Sequence, residues 1–254
     1  MGQRRPQVRP GRGAAGKSGR LGGEQPPVDV PDPWLPPARP TDYWSPTTER
    51  MPREALAALQ LRKLRTLLAW AMRRRPFWQR KVGAAGVKLE RIGSLEELRS
   101  IPFLTKEEIL ADQASSPPYG TAITCSPELA VAYHHTSGTT GRTPLRVFET
   151  RRDWDWGADA WARALYAFGL RASDVVYFPF GYGPFIGFWG AHYGAQKIGA
   201  MTVAGGSQPS EHRLRQIVDC GATAVVATPS YGLRLAAIAE QQGLDLASGP
   251  RWSC

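Results

Sequence analysis

A chain of 254 residues, 42% of them hydrophobic, is long enough for one large or two small domains and apolar enough to bury a sizeable core. Its 32 Lys and Arg against 22 Asp and Glu leave a net charge of +10, a balance compatible with nucleic acid or an acidic membrane surface. Much of that charge is arginine spread along helical stretches and a ragged N-terminus, where a solvated face accounts for it, so neither partner is expected. The cysteines Cys125, Cys220 and Cys254 are odd in number and far apart, which argues against a disulfide framework or a metal site and for a reducing cytoplasmic setting.

Residues 1–40 are rich in Gly, Pro and Arg, lack the apolar segment of a secretory signal, and carry too little apolar surface to offset the entropy of ordering. They read as a disordered tail, with the folded unit expected over 41–254. Gly11–Ser18 satisfies the G-x-x-x-x-G-K-S pattern of a P-loop. That loop needs a buried strand before it and a helix after it. Pro10 precedes it here and Gly19, Gly22 and Gly23 follow, so the match is read as chance.

Pro52 marks a helix start, and Leu56, Leu59, Leu64, Leu67, Leu68, Ala71 and Met72 predict one apolar helical face that ends at Pro76. The intervening Arg62, Arg65 and Arg73 are expected on the wet side. Two capping boxes, Ser94-x-x-Glu97 and Thr105-x-x-Glu108, predict short helices over Leu95–Arg99 and Lys106–Asp112.

The stretch His134–Pro144 is unlike its surroundings. It sets hydroxyls at Thr136, Ser137, Thr139, Thr140 and Thr143 around Gly138 and Gly141, with a fixed charge at Arg142. Glycines let the main chain approach a ligand, successive amides form an anion nest, and hydroxyls add donors, which together suit a phosphate chain. A polar surface turn is the competing reading. Ala130–His135 and Leu145–Thr150 read as strands on either side, so the loop joins strand to strand and differs from a P-loop.

A helix with Trp154, Ala158, Trp161, Leu165 and Phe168 on one face follows, stopped by Gly169. Its tryptophans read as core rather than as a stacking platform. The stretch between Asp174 and Lys197 has no charge and is long enough to span a bilayer, but Pro179, Pro184 and five glycines divide it into strand, turn and helix start. Strands over Val175–Phe180, Met201–Ala204 and Ala222–Thr228 alternate with helices over Phe185–Gly199, Glu211–Cys220 and Tyr231–Gln242. That alternation predicts an α/β fold, a helical N-terminal section followed by a mostly parallel sheet with helices on both faces. Ligands in such sheets bind at the carboxyl ends of strands, where Gly181–Pro184 and Pro229–Tyr231 lie. Ser248–Cys254 show no periodic character.

From about residue 41 to about residue 243 the chain resembles the phenylacetate–CoA ligase family of adenylate-forming enzymes. Thr136-Ser137-Gly138-Thr139-Thr140-Gly141 is similar to the phosphate-binding signature of the whole superfamily. Tyr182-Gly183-Pro184-Phe185 with Gly190-Ala191-His192-Tyr193-Gly194-Ala195, and Thr228-Pro229-Ser230-Tyr231, narrow it to this branch. Tyr43-Trp44, the Pro76-Phe77 helix end and Ile101-Pro102-Phe103-Leu104-Thr105-Lys106 fit its N-terminal pattern.

The resemblance implies an acid–CoA ligase in which a carboxylate attacks the α-phosphate of ATP and CoA then displaces AMP from the acyl-adenylate. ATP, Mg²⁺ and CoA are the implied cofactors and co-substrates, an aryl carboxylic acid the implied partner, and a homodimer the assembly. Thr136–Thr143 would hold the β- and γ-phosphates. Tyr182, Gly183, Phe185, Gly187 and Ala191 are the candidates for an aryl-acid pocket, with ordinary helix–sheet packing as the competing reading of Phe185 and Ala191. His192 reads as structural or supporting, and His134 and His135 either touch phosphate or simply end a strand. Two departures stand out. The family's lysine after T-T-G is Arg142 here, with Pro144 displaced by one. The family's adenine strand, Y-G-x-x-E motif, ribose-binding aspartate and the small C-terminal domain with its lysine have no counterpart. The chain is therefore expected to be a truncated large domain with no catalytic residue of its own and to be inactive alone; the alternative is a non-catalytic binding or assembly module.

Overall fold

The computed structural model describes residues 42–88, 91–136 and 143–244 and the backbone of 251–253. All belong to one unit, 36–254. The tail with its Gly11–Ser18 match, and loop residues 137–142, lie outside the described residues.

A short α1 (Pro46–Glu49) leads to the long α2 (Arg53–Arg74). Leu68 and Ala71 are its buried residues, whereas Leu67 is 61% exposed, so the core stripe is narrower than the apolar spacing predicted. Pro76 both ends α2 and begins α3 (Pro76–Ala84), a helix the sequence reading missed. Arg75 is extended, as the residue before a proline prefers, and proline at the first helical position sacrifices no hydrogen bond. The Thr105 capping box forms in full: the Glu108 amide donates to Thr105 Oγ1 and the Thr105 amide to Glu108 Oε2 at 2.8 Å, opening α4 (Lys106–Ser115). The Ser94 box forms by half. Glu97 accepts from the amides of Gly93 and Ser94, but no serine hydroxyl caps the helix, and only a 3₁₀ turn over Glu96–Ser100 results.

Strands β1 (Ala130–His135) and β2 (Arg146–Thr150) pair antiparallel, with His134 opposite Val147 and His135 opposite Arg146. Buried Gln113 of α4 reaches the outer side of β2, its amide nitrogen donating to the Arg146 carbonyl at 2.6 Å and its oxygen accepting from the Arg146 amide at 3.1 Å. A further capping box, Thr150 with Asp153, turns the end of β2 directly into α5 (Arg151–Ala167).

The second sheet is parallel, in the order β4-β3-β5-β6: β3 (Val175–Phe178), β4 (Met201–Ala204), β5 (Ala224–Val226) and β6 (Arg251–Ser253). Helices α6 (Ile186–Ile198), α7 (Ser210–Asp219) and α8 (Pro229–Gln241) make the crossovers. The strands alternate faces with period two. Val176 and Phe178 pack with Ala162, Leu165, Ala191 and Ala195 of α5 and α6, while Tyr177 and Val225 pack with Ile217 of α7 and Leu235 of α8. Crossovers of one hand moving in opposite directions must lie on opposite faces, which is why α6 and α7 are separated. The strands end sooner than their apolar runs. β3 stops at Phe178, where Pro179 has no amide to continue the ladder. β6, over a stretch that showed no period, is a strand laid against β5.

Helix α6 crosses α5 closely. A Cβ on Gly190 would lie 2.4 Å from Trp161 Nε1, and one on Gly194 would lie 2.6 Å from Trp161 Cβ. Their spacing of one helical turn makes a groove for Trp161. That tryptophan is 38% exposed and Phe168 is 70% exposed; Ala158 and Leu165 of the expected face are buried, and Ala162 and Tyr166 complete the α5 core in place of Trp161 and Phe168. Among the described residues no helix is long and apolar enough to cross a membrane.

Candidate functional site

The connection from β3 turns one way in the sheet, to β4, and the connection from β5 turns the other, to β6. The carboxyl ends of β3 and β5 therefore flank a topological switch point, the position where open α/β sheets leave a crevice for ligands. The β3–α6 loop, carrying Tyr182, Gly183 and Phe185, leaves from this place.

The base of the hydroxyl-rich loop is fixed at the same place. The Thr136 amide donates to the Leu145 carbonyl at 3.1 Å, and Thr136 Oγ1 accepts from the Leu145 amide at 3.1 Å. These two bonds close the neck of the loop. Thr143 is exposed on the return side. Ser137, Gly138, Thr139, Thr140, Gly141 and Arg142 lie outside the described residues. The neck is joined to the β3–α6 loop through one carbonyl: the His135 amide donates to Pro184 O at 3.2 Å, and His134 Nδ1 stands 3.3 Å from the same oxygen. The His135 ring meets Phe185 edge-on, with centroids 6.3 Å apart.

Tyr182 is built into an aromatic cluster with Phe178, Phe180 and Trp189, at ring-centroid distances of 6.3, 5.4 and 4.7 Å. Its hydroxyl lies 2.7 Å from His192 Nδ1, and His192 Nε2 lies 3.2 Å from Thr202 Oγ1, which accepts from Gln196 Nε2 at 3.1 Å. Burial pushes the Tyr182 phenol well above its ordinary value and lowers the His192 imidazole, so both are neutral near pH 7. His192 thus supports Tyr182 and β4. Trp189 Nε1 donates to the Gly183 carbonyl at 2.9 Å, clamping the loop from the helix side.

The remaining predicted residues divide. A Cβ on Gly183 would sit 3.4 Å from the Phe185 ring, so glycine lets that ring lie against the main chain. Gly187, in the first turn of α6, faces open space, with nothing within 4 Å of where a Cβ would stand. Ala191 is 1% exposed inside the α5–α6–β3 core. Tyr231, at the end of β5, turns toward α7, where its hydroxyl bonds Arg213 at 2.8 Å and Ser210 at 3.0 Å. Sequence reasoning did not single out Glu149, whose carboxylate stands 3.3 Å from His134 Nε2. On an antiparallel pair with His134 opposite Val147, Glu149 is the diagonal neighbour on the same face, so the register would have exposed it.

No protein-family model matches the chain. It is 34% identical over 197 residues to a phenylacetate-coenzyme A ligase of Aromatoleum evansii, covering 78% of this chain and 43% of that protein. It is 35% identical over 196 residues to a phenylacetate-coenzyme A ligase of Escherichia coli strain K12, with 77% and 44% covered. Among solved structures, a 2-hydroxyisobutyryl-CoA ligase in complex with 2-HIB-AMP and CoA superposes with a TM-score of 0.77 at 31% identity, over 83% of this chain and 44% of that one. The chain is therefore a relative of the phenylacetate–coenzyme A ligases, with the fold of the adenylate-forming CoA ligases, and it spans a little under half of their length.

Proposed function

We propose that this chain supplies the phosphate end and the acid end of an AMP-forming acid–CoA ligase site, and that the acid is aromatic, with phenylacetate as the reference substrate. The observation that carries this reading is the joint at Pro184. One carbonyl ties the neck of the hydroxyl-rich loop to the loop bearing Tyr182 and Phe185, beside the switch point of the sheet. A reaction that brings a carboxylate to the α-phosphate of ATP needs those two ends held at a fixed separation, and positioning of that kind is a major part of the rate.

In the first step a carboxylate oxygen attacks the α-phosphorus and pyrophosphate leaves with the electrons of the broken P–O bond. In the second the CoA thiolate attacks the acyl carbon and AMP leaves. The part proposed for Thr136–Thr143 is to hold the departing phosphates through hydroxyls, amides and the Arg142 charge. Among the described residues no cluster of three or more His, Cys, Asp or Glu side chains could hold a metal ion, so Mg²⁺ is proposed to enter with ATP and to share the phosphate charge there. Tyr182, Gly183, Phe185 and Gly187 are proposed to bound the acid, with Ala191 supporting them from the core. An aromatic acid is favoured because the Tyr182 hydroxyl is engaged by His192; what the tyrosine offers a ligand is its ring.

The test is calorimetric titration of the 254-residue chain with ATP and with phenylacetate. ATP is expected to bind and to be weakened by Thr136→Ala, and phenylacetate to bind and to be weakened by Gly187→Val. Absence of both affinities would sink the reading. Phenylacetate-dependent exchange of pyrophosphate into ATP is expected to be absent with these residues alone, because the adenine, ribose and lysine motifs have no counterpart in them. Binding that still gives no exchange when the remaining portion of a phenylacetate–coenzyme A ligase is added would favour a non-catalytic assembly role.

A further inference from the structure

His134 is 7% exposed, and three different elements fix its ring. Nδ1 faces the Pro184 carbonyl from the β3–α6 loop; a carbonyl only accepts, so Nδ1 carries a proton. Nε2 stands 3.3 Å from Glu149 Oε2 on β2, and neither of these buried atoms has a hydrogen bond from any other group. The ring stacks on Trp154 of α5, with centroids 5.2 Å apart and planes 13° apart.

With Nδ1 already protonated, a neutral imidazole would turn its Nε2 lone pair toward an ionised carboxylate. Two acceptors facing each other away from water repel, so a proton belongs between them. Burial raises the Glu149 carboxyl above its ordinary value, opposed by His134 and assisted by the charge of Asp153 at the start of α5. Asp153 itself is engaged by Thr150. Among the described residues no lysine or arginine is paired with Glu149.

We propose that His134 and Glu149 share one proton, and that the pair is a pH-responsive clamp that holds the neck of the hydroxyl-rich loop against Pro184. His134 is a positioning residue in this scheme. It touches neither reacting group, and its connection to ligand binding rests on the function proposed above. As pH rises the shared proton is lost, lone pair meets carboxylate, and the clamp loosens. As pH falls Glu149 takes a proton of its own and the attraction between unlike charges goes. The clamp is therefore tightest over a middle range, whose limits belong to the pair rather than to either residue.

The experiment uses the full 254-residue chain. Long-range ¹H–¹⁵N correlation spectra of the histidines, assigned with His134→Asn, read the protonation of both ring nitrogens, and ¹³C spectra read the Glu149 carboxyl. At neutral pH the expected result is either a doubly protonated His134 beside a carboxylate, or an Nδ1–H tautomer beside a neutral carboxyl. An Nδ1–H tautomer beside an ionised carboxylate, or an Nε2–H tautomer, overturns the proposal. Hydrogen exchange of the His135 amide, which donates to Pro184 O, is expected to quicken severalfold above the upper titration in wild type and to lose that pH step in Glu149→Gln. The same pH step in both proteins overturns the clamp. ATP affinity measured across pH is expected to follow the same profile. If the spectra and the exchange behave as expected and ATP binds at no pH, the clamp stands and the ligase reading falls. If ATP binds with one profile in wild type and Glu149→Gln, the clamp falls and the ligase reading stands.

Discussion

Alanine at position 194 would place its methyl 2.6 Å from Trp161 Cβ and 3.1 Å from both the Trp161 carbonyl carbon and the Ala162 nitrogen. Carbon atoms rest at about 3.5–4.0 Å, so roughly 1 Å must be found between α5 and α6. Two of the obstructing atoms are main chain and cannot rotate away. Overpacking of this kind costs about 1–3 kcal/mol, against a gain of about 1 kcal/mol from the better helix propensity of alanine. The net expectation for Gly194→Ala is a loss of about 0–2 kcal/mol, drawn from the contacts of Ala162 and Leu165 with Ala191 and Ala195. Gly157, also helical, has nothing within 4 Å of a built Cβ. Gly157→Ala therefore keeps the propensity gain without the clash and is expected to stabilise by about 0.5–1 kcal/mol. Urea midpoints at unchanged slope give the two values, and thermal midpoints should separate by about 2–4 °C for each kcal/mol between the two proteins. A Gly194→Ala protein as stable as Gly157→Ala would refute the close crossing of α5 and α6.

Gln113→Leu leaves the amide and carbonyl of Arg146 without partners and is expected to cost about 1–3 kcal/mol, with faster hydrogen exchange at the Arg146 amide as its local signature. Asp112→Ala removes the acceptor of the Thr121 amide, the Thr121 hydroxyl and the Ala122 amide; a loss of about 3 kcal/mol is expected, together with faster proteolysis between residues 116 and 125. His192 gives a pH test. Burial lowers its imidazole value, so the unfolded chain takes the proton first as pH falls through about 6.5, and stability drops until pH is below the folded value. Urea midpoints between pH 7 and 5 should show that step in wild type and lack it in His192→Gln; equal slopes would remove the neutral-ring assignment.

How far the sequence could be read varied with what bounds each element. β1 and β4 were legible to the residue, β4 because Gly199 and Gly205 bracket it. β3 was read two residues too long, since an apolar run does not show where a ladder ends and Pro179 was taken as part of the strand. β6 is too short to display a period and is defined only by β5. α3 was hidden because Pro76 was read as a stop alone, although the same proline suits a first helical position. Trp161 follows helical spacing, yet its burial depends on glycines 29 and 33 positions later in the chain, a relation that helical periodicity does not contain. In the candidate site, Thr136, Tyr182 and Phe185 were recognisable from side-chain motifs. The contact that joins them is a backbone carbonyl, which leaves no mark on residue type.

Gln113 has a consequence beyond the stability of α4. Among the described residues strand β2 pairs with β1 on one side only, and the main-chain groups of Arg146 point to the other side, where a foreign strand could add. The Gln113 amide occupies both of them, acting as a single residue of strand that cannot be extended. Lateral growth of this hairpin into an intermolecular sheet is blocked at that register. Gln113→Leu should therefore make the chain self-associate at concentrations where Asp112→Ala, destabilised at least as much, stays dispersed.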